Sequence, residues 1–207
     1  MKVREFNLAQ CTGKIQYIRF YENTKSLMIV LSLFRPRWSK NGENSIVADY
    51  PNIYVEGEMA EKYKDQFKEG DFITAIGHID ERMVMIHMGR GMYRHVKGPA
   101  LIPDQILPDY GHENINLAIV TGTIEKVYHN PEKKYHTITV VSQVDDKDTH
   151  VQFTHFDLDM NFDPQIGNTV IMNGIFRTRS TQNEQSEGPR YIKQTSIVAR
   201  SVSFTEK

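Results

Sequence analysis

Asn7-Leu8-Ala9-Gln10-Cys11-Thr12-Gly13-Lys14-Ile15 returns later in the chain as Asn116-Leu117-Ala118-Ile119-Val120-Thr121-Gly122-Thr123-Ile124, with six of nine positions identical. A block that recurs at one spacing means that the chain is built from copies of one structural unit. A second pair of landmarks supports this. Each half has a glycine, an alternating apolar segment and another glycine seven positions on, at Gly70 and Gly77 and again at Gly167 and Gly174. The spacing between the halves is shorter at the second landmark, so the second copy has lost residues between the two.

Outward from the repeated block, period-two alternation marks strands. In the second copy these run over residues 118–127, 137–141, 151–156, 169–176 and 191–204, with Asn130-Pro131 as a turn. In the first copy they run over 8–20, 27–34, 46–55, 72–79 and 83–88, the last continuing to Val96 after a tight Asp80-Glu81 turn. A helix is predicted over 58–68, closed by Gly70 as a cap. Strand-strand-strand-helix-strand-strand is the order of the OB fold, a five-stranded Greek-key barrel. The expectation is therefore an all-β chain of two tandem OB-fold barrels, with a helix only in the first. The domains are expected at residues 1–98 and 116–207, joined by an ordered linker over 99–115 that carries Pro99, Pro103, Pro108 and Gly111. Gly13 and Gly122 fall mid-strand, where the first strand of a small barrel bends.

The bulk properties agree with a globular chain: 207 residues, 39% hydrophobic. No apolar run reaches the ~18 residues of a membrane span, and MKVREFNLAQ has neither the apolar core nor the cleavage site of a signal peptide. A cytoplasmic protein with no membrane partner is expected. One cysteine, Cys11, leaves no intrachain disulfide and reads as a small half-buried filler. The net charge of −1 argues against strong general adhesion to nucleic acid, although local patches matter more than totals. Residues 82–97 hold Arg82, Arg90, Arg94 and Lys97 with no acid, and residues 177–200 hold Arg177, Arg179, Arg190, Lys193 and Arg200 against Glu184 and Glu187.

Several segments resemble the bacterial and phage single-stranded DNA-binding (SSB) proteins. Gly174-Ile175-Phe176-Arg177-Thr178-Arg179, followed by a polar loop and Arg190-Tyr191, resembles that family's hairpin between strands four and five. Ser201-Val202-Ser203-Phe204 resembles its last strand. Trp38-Ser39-Lys40-Asn41-Gly42-Glu43 resembles its aromatic-led loop between strands two and three, and Gly89-Arg90-Gly91-Met92 its glycine-rich bend. The resemblance implies single-strand binding on the barrel face and these loops, with Trp38 at a stacking position and Tyr50 near a second. The family's aromatic after the Arg-Thr-Arg hairpin is Thr181 here. The family's acidic tail is not found before the sequence stops at Phe204-Thr205-Glu206-Lys207, so tail-mediated recruitment is not implied.

A single-strand site needs aromatic faces for bases, worth about 1–3 kcal/mol per base, and cations for phosphates. Arg35, Arg37, Trp38 and Lys40 supply both within six residues. Phe34 reads as core. Tyr21, Tyr50, Tyr54 and Tyr93 fit either stacking or barrel caps with wet hydroxyls. Tyr128, Tyr135, Phe153 and Tyr191 are the second copy's candidates, while Arg177, Arg179 and Arg190 flank one hairpin as a possible clamp, with solvated strand arginines as the alternative. Arg90 and Arg94 complete the set.

Other chemistry is set aside. Asp157-Leu158-Asp159-Met160-Asn161 starts like a calcium loop, but Phe162 replaces its glycine and Asn168 its last glutamate. His150 and His155 lie five apart on a strand, hence on opposite faces. Gly89-Arg90-Gly91 lacks the Lys-Ser/Thr of a phosphate loop. Met83, Met85, Met88 and Met92 read as pliable core. The expected function is non-enzymatic, largely sequence-independent single-stranded DNA binding in replication or recombination, in a phage, plasmid or bacterial setting. No cofactor, metal or small-molecule substrate is expected, and a homodimer would bring four barrels together. The alternatives are a protein-interaction module of a replisome or phage assembly, and an RNA-binding OB protein. The copies are not interchangeable in their loops, so the tandem is expected to form one composite surface.

Overall fold

A computed structural model describes residues 5–38, 44–89, 92–109, 111, 113–157, 162–182 and 191–205, with only the backbone of Trp38, Tyr93 and Tyr191 among the candidate site residues. The first copy comprises β1 (Phe6–Tyr21), β2 (Ser26–Trp38), β3 (Asn44–Asp49), β4 (Asn52–Glu56), α1 (Gly57–Tyr63), β5 (Phe72–Gly89) and β6 (Met92–Pro108). The second comprises β7 (Ile115–Asn130), β8 (Tyr135–Val144), β9 (Lys147–Phe156), β10 (Thr169–Gln182) and β11 (Tyr191–Phe204). Strands β1-β2-β4-β6-β5 close on β1, and β7-β8-β9-β11-β10 close on β7. In both barrels the third and fifth strands pair in parallel, β4 with β6 and β9 with β11. That is the five-stranded OB topology, twice, on an all-β chain.

The repeated block joins the barrels. β1 and β7 pair antiparallel from Phe6↔Thr121 to Thr12↔Ile115, and Ala9 faces Ala118, its own counterpart in the repeat. The two copies are thus related by a pseudo-two-fold axis through that pair. Ala9 and Ala118 are fully buried, as is Cys11, which goes further than the half-buried filler expected. Burial pushes the Cys11 thiol pKa well up, so it stays protonated. One apolar core runs through both copies, with Ile29, Ile53, Leu101, Phe153 and Phe176 at its centre. Each such side chain contributes about 1.5–3 kcal/mol by leaving water.

The repeat also explains itself locally. A Cβ on Gly13 would lie 2.8 Å from the Ser32 carbonyl oxygen, and one on Gly122 2.0 Å from that of Val141, so the first strand of each barrel crosses the second too closely for a side chain. Two residues past each bend or so, a bulge follows at matching positions, between Ile15 and Tyr17 and between Ile124 and Lys126.

Three expectations need correction. The Asp80-Glu81 turn is absent: β5 and β6 stay paired from Ile73↔Pro108 out to Gly89↔Met92. Residues 99–108, expected in the linker, are therefore the inner half of the fifth strand. Prolines within a strand argue against pairing, but here a register shift between Ile76 and Gly77 sets Gly77 opposite Pro103 and absorbs the missing donor. The helix ends at Tyr63 rather than Lys68. Asp71 accepts a bond from the Lys68 amide and Gly70 (φ 96°) returns its own amide to Ile15, so Gly70 docks the chain on β1 instead of capping α1.

Candidate nucleic-acid interface

β2 outlasts its barrel. Beyond Leu33 it pairs only with β3, from Leu33↔Asp49 to Trp38↔Asn44, as a projecting two-stranded arm. Alternation gives the arm two unlike faces. One carries Arg35 and Arg37 with Val47 and Asp49; the other carries Phe34, Pro36, Ile46 and Ala48. Phe34 is half exposed and Ile46 is 78% exposed, so Phe34 is not the core residue expected.

Opposite the basic face stands the β10–β11 hairpin of the second copy. Together they line a cleft of about 780 Å³ with Arg35 and Arg37 on one wall and Arg177, Arg179 and Lys193 on the other. Tyr50 and Phe156 supply its aromatic surface. The Arg179 guanidinium sits 4.4 Å over the Phe156 ring, and Lys193 Nζ lies 5.0 Å from the centre of Tyr50. Asp49 ties the walls together. Its carboxylate, 1% exposed, accepts from Arg35 Nε and from the Thr178 amide at 2.8 Å. The Tyr50 amide donates to Thr178 Oγ1 at 2.7 Å, and Thr195 Oγ1 donates to the Tyr50 carbonyl at 2.8 Å. Among the described residues, five cations around one carboxylate leave an excess of positive charge. Burial lowers the Arg177 and Arg179 pKa values from their usual range, and like charge lowers them further: Arg35 at Arg177, Arg177 at Arg179. An anion in the cleft would offset the like-charge effect.

A second feature adjoins the cleft. On the outside of the first barrel, Met28 and Val30 of β2 and Met85 of β5 form a small apolar cluster ringed by Tyr17, Tyr21, Tyr50 and Tyr54. Strand registers match this surface position by position with the outside of the second barrel. Tyr17 pairs with Val30 and Tyr54 with Met28; the corresponding places hold Lys126 against Thr139 and Thr154 against Thr137. At these positions the first barrel carries tyrosines and the second does not.

Arg35, Arg37, Tyr50, Arg177 and Arg179 are therefore brought into one cleft, with Tyr54 on the adjoining face. Tyr128, 59% exposed on β7, and Tyr135, its ring tilted 58° to that of Phe156 at 5.9 Å, lie on the second barrel. Arg94 is exposed on β6. Phe153 is a correction: it is fully buried, because it alternates with Val151 into the barrel and takes the place of Ile53 in the first copy. Lys40, Arg90 and Arg190 lie outside the described residues, as do the side chains of Trp38, Tyr93 and Tyr191. The basic segment over 82–97 is partly neutralised, with Arg82 on Asp80 and Glu56, and Lys97 on Glu81. Sequence reasoning missed Tyr17 and Phe156, and read Lys193 only as part of the basic segment over 177–200, not as a site residue. The last two were visible as the ends of strands flanking the arginine hairpin.

No family model matches the sequence, and no curated protein matches it by sequence. The fold does match solved structures. A deletion and substitution variant of the single-stranded DNA binding protein from Thermus aquaticus superposes with TM-score 0.69 at 14% identity, over 99% of this chain and 96% of that one. The wild-type form of that protein superposes with TM-score 0.67 at 14% identity, over 99% and 95%. The small single-stranded DNA-binding protein from Streptomyces coelicolor aligns with 53% of this chain at 16% identity, with TM-score 0.35. At these identities the likeness is one of fold, and it extends from end to end: the chain shares the two-barrel architecture of the Thermus aquaticus protein.

Proposed function

We infer that this chain binds single-stranded DNA without catalysis and largely without regard to sequence, in DNA replication or recombination. The observation that carries the reading is the cleft between the copies, where Arg35, Arg37, Arg177, Arg179 and Lys193 converge beside Tyr50 and Phe156. Phosphates run between the arginine walls, and bases stack on the tyrosine face of the first barrel. Strands two and three with the four–five hairpin are the surface on which OB folds take oligonucleotides. The neighbours of like fold are named for binding single-stranded DNA, which supports the same class of ligand here. Titration of a fluorescently labelled oligo(dT) at low salt tests the reading. Saturable binding that weakens steeply with salt is expected, and no anisotropy change at any salt would overturn it. Competition with the matching RNA separates DNA from RNA preference.

The same reading includes a homodimer. The outer face of the joined sheet carries Leu8, Leu117 and Ile119 at its centre, with Phe6, Ile115 and Ile171 exposed around them. This apolar face is nearly self-complementary through its pseudo-two-fold, as an isologous contact requires. Light scattering should give twice the chain mass of 24.0 kDa, and Ile119→Glu should return it to the single mass.

A further inference from the structure

A cavity of about 200 Å³ lies where the tyrosine face meets the second copy's hairpin. The first copy supplies its floor and one side through Val30, Met85 and Ile86, and its aromatic walls through Tyr17 and Tyr50. The second copy closes it with Thr178, Thr195 and Lys193. Gln16 stands at its edge, and Gln16 is the residue at the β1 bulge, where an extra residue re-aims the strand. The corresponding bulge in the second copy bears Glu125, which is engaged by His150 at 3.1 Å. The cavity therefore depends on both copies.

Its size selects the ligand. Sites for drug-sized molecules run to about 300–1,000 Å³, whereas a cavity of about 150 Å³ admits a benzene ring. This one suits a single six-membered ring with its substituents. Its polar chemistry suits a base edge. The Tyr50 amide bonds Thr178 Oγ1, the two threonine hydroxyls share a 2.7 Å bond, and Thr195 donates to the Tyr50 carbonyl. Thr195 thereby spends its only proton, so Thr178 spends its own on Thr195, and both oxygens are left with lone pairs only. Gln16 brings both a donor and an acceptor, and Lys193 brings donors.

We propose that this cavity takes one pyrimidine base of the bound strand, turned out of the stack, and so sets the register of the strand on the protein. The proposal rests on the single-strand reading above. The pocket imposes a one-position preference on otherwise sequence-tolerant binding. The test uses the shortest oligo(dT) that binds with full affinity, with a single purine moved through every position. One position should lose about tenfold or more, since even one methylene too many in a fitted pocket costs 10–200-fold, and the rest should change little. In Gln16→Trp, checked for an unchanged melting temperature, the ring fills the pocket, so oligo(dT) affinity should fall and the positional profile should flatten; a profile that keeps its one sensitive position would overturn the pocket. A flat profile in the unaltered protein overturns the pocket and leaves the single-strand reading standing. No binding of any oligonucleotide at low salt overturns both.

Discussion

Asn7 brackets one backbone residue with its carboxamide, donating to the Ile79 carbonyl at 2.8 Å and accepting from the Ile79 amide at 2.9 Å, while its Nδ2 also donates to Thr149 Oγ1 at 3.0 Å. Asn116 brackets Phe176 in the same way, at 2.7 and 2.8 Å. Both asparagines head the repeated block, so the repeat preserves a latch that holds the first strand against the fourth, just beyond its bulge. Asn7→Ala and Asn116→Ala should each lower stability by about 1–3 kcal/mol, because two partly buried backbone groups lose their partner; urea denaturation measures this. His136 and His155 stand in the second barrel beside Phe162. Burial lowers both pKa values from 6.5, with His129 adding to the effect at His136, while Asp157 opposes it at both and Asp163 at His136. A histidine held neutral in the fold lets the unfolded chain bind more protons. Its contribution to stability is thus full above pH 6.5 and is lost as pH falls below that value. Melting temperature should drop between pH 7 and pH 5, and the drop should shrink in His155→Phe. At this scale the alternation that identified its strand already grouped Phe153 with Val151, so its reading as a stacking candidate overlooked a visible core signal. The exposure of Phe34 was not legible, because nothing local says that β2 runs beyond its barrel.

At the scale of elements, the strands declared themselves wherever one face met a core and the other met water. The first copy's fourth and fifth strands were the exception. Their outer halves leave the barrel as a long hairpin, so the pattern that marks burial gives way to a mixed one: Met83 is 49% exposed, while Val84, Met85 and Ile86 are all buried. Prolines then read as breaks in what is one strand. The β2–β3 arm and the β10–β11 hairpin meet only in three dimensions, and Asp49 is their joint. Asp49→Ala strands Arg35 beside Arg177 and frees the Thr178 amide. Breaking a buried pair costs about 3–5 kcal/mol, and about 2–3 kcal/mol is expected here because Arg35 is partly exposed. Chemical denaturation measures that loss. Oligonucleotide affinity should fall with it, since the cleft loses one wall's fixed position.

At the scale of the molecule, the duplication supplies two barrels with unlike outer faces. The first keeps tyrosines where the second has threonines and a lysine, and the second contributes the arginine hairpin that reaches across. Composition hid this, since the net charge of −1 averages an acid-rich exterior with a cleft of five cations. Replacing one outer-face tyrosine in each barrel tests the asymmetry: Tyr54→Thr should weaken oligo(dT) binding by about tenfold, the lower part of the 1–3 kcal/mol expected for one stacked base, while Tyr128→Thr should have little effect. Equal losses would argue for two equivalent faces.

Salt tests the other half of the mechanism. On single strands each neutralised phosphate adds about −0.7 to the slope of log affinity against log salt. Arg37 is exposed, and Arg179 stands on Phe156 with no acid holding it among the described residues. Arg35 is already engaged by Asp49. Arg37→Ala and Arg179→Ala should therefore each flatten the slope by about 0.7, because each removes one contact to the strand. Tyr54→Thr should lower affinity at every salt concentration and leave the slope unchanged, since stacking releases no counterions. Anisotropy titrations of the three variants across a salt series distinguish these outcomes: arginine variants that lose affinity in parallel with the unaltered protein would place the phosphates outside the cleft.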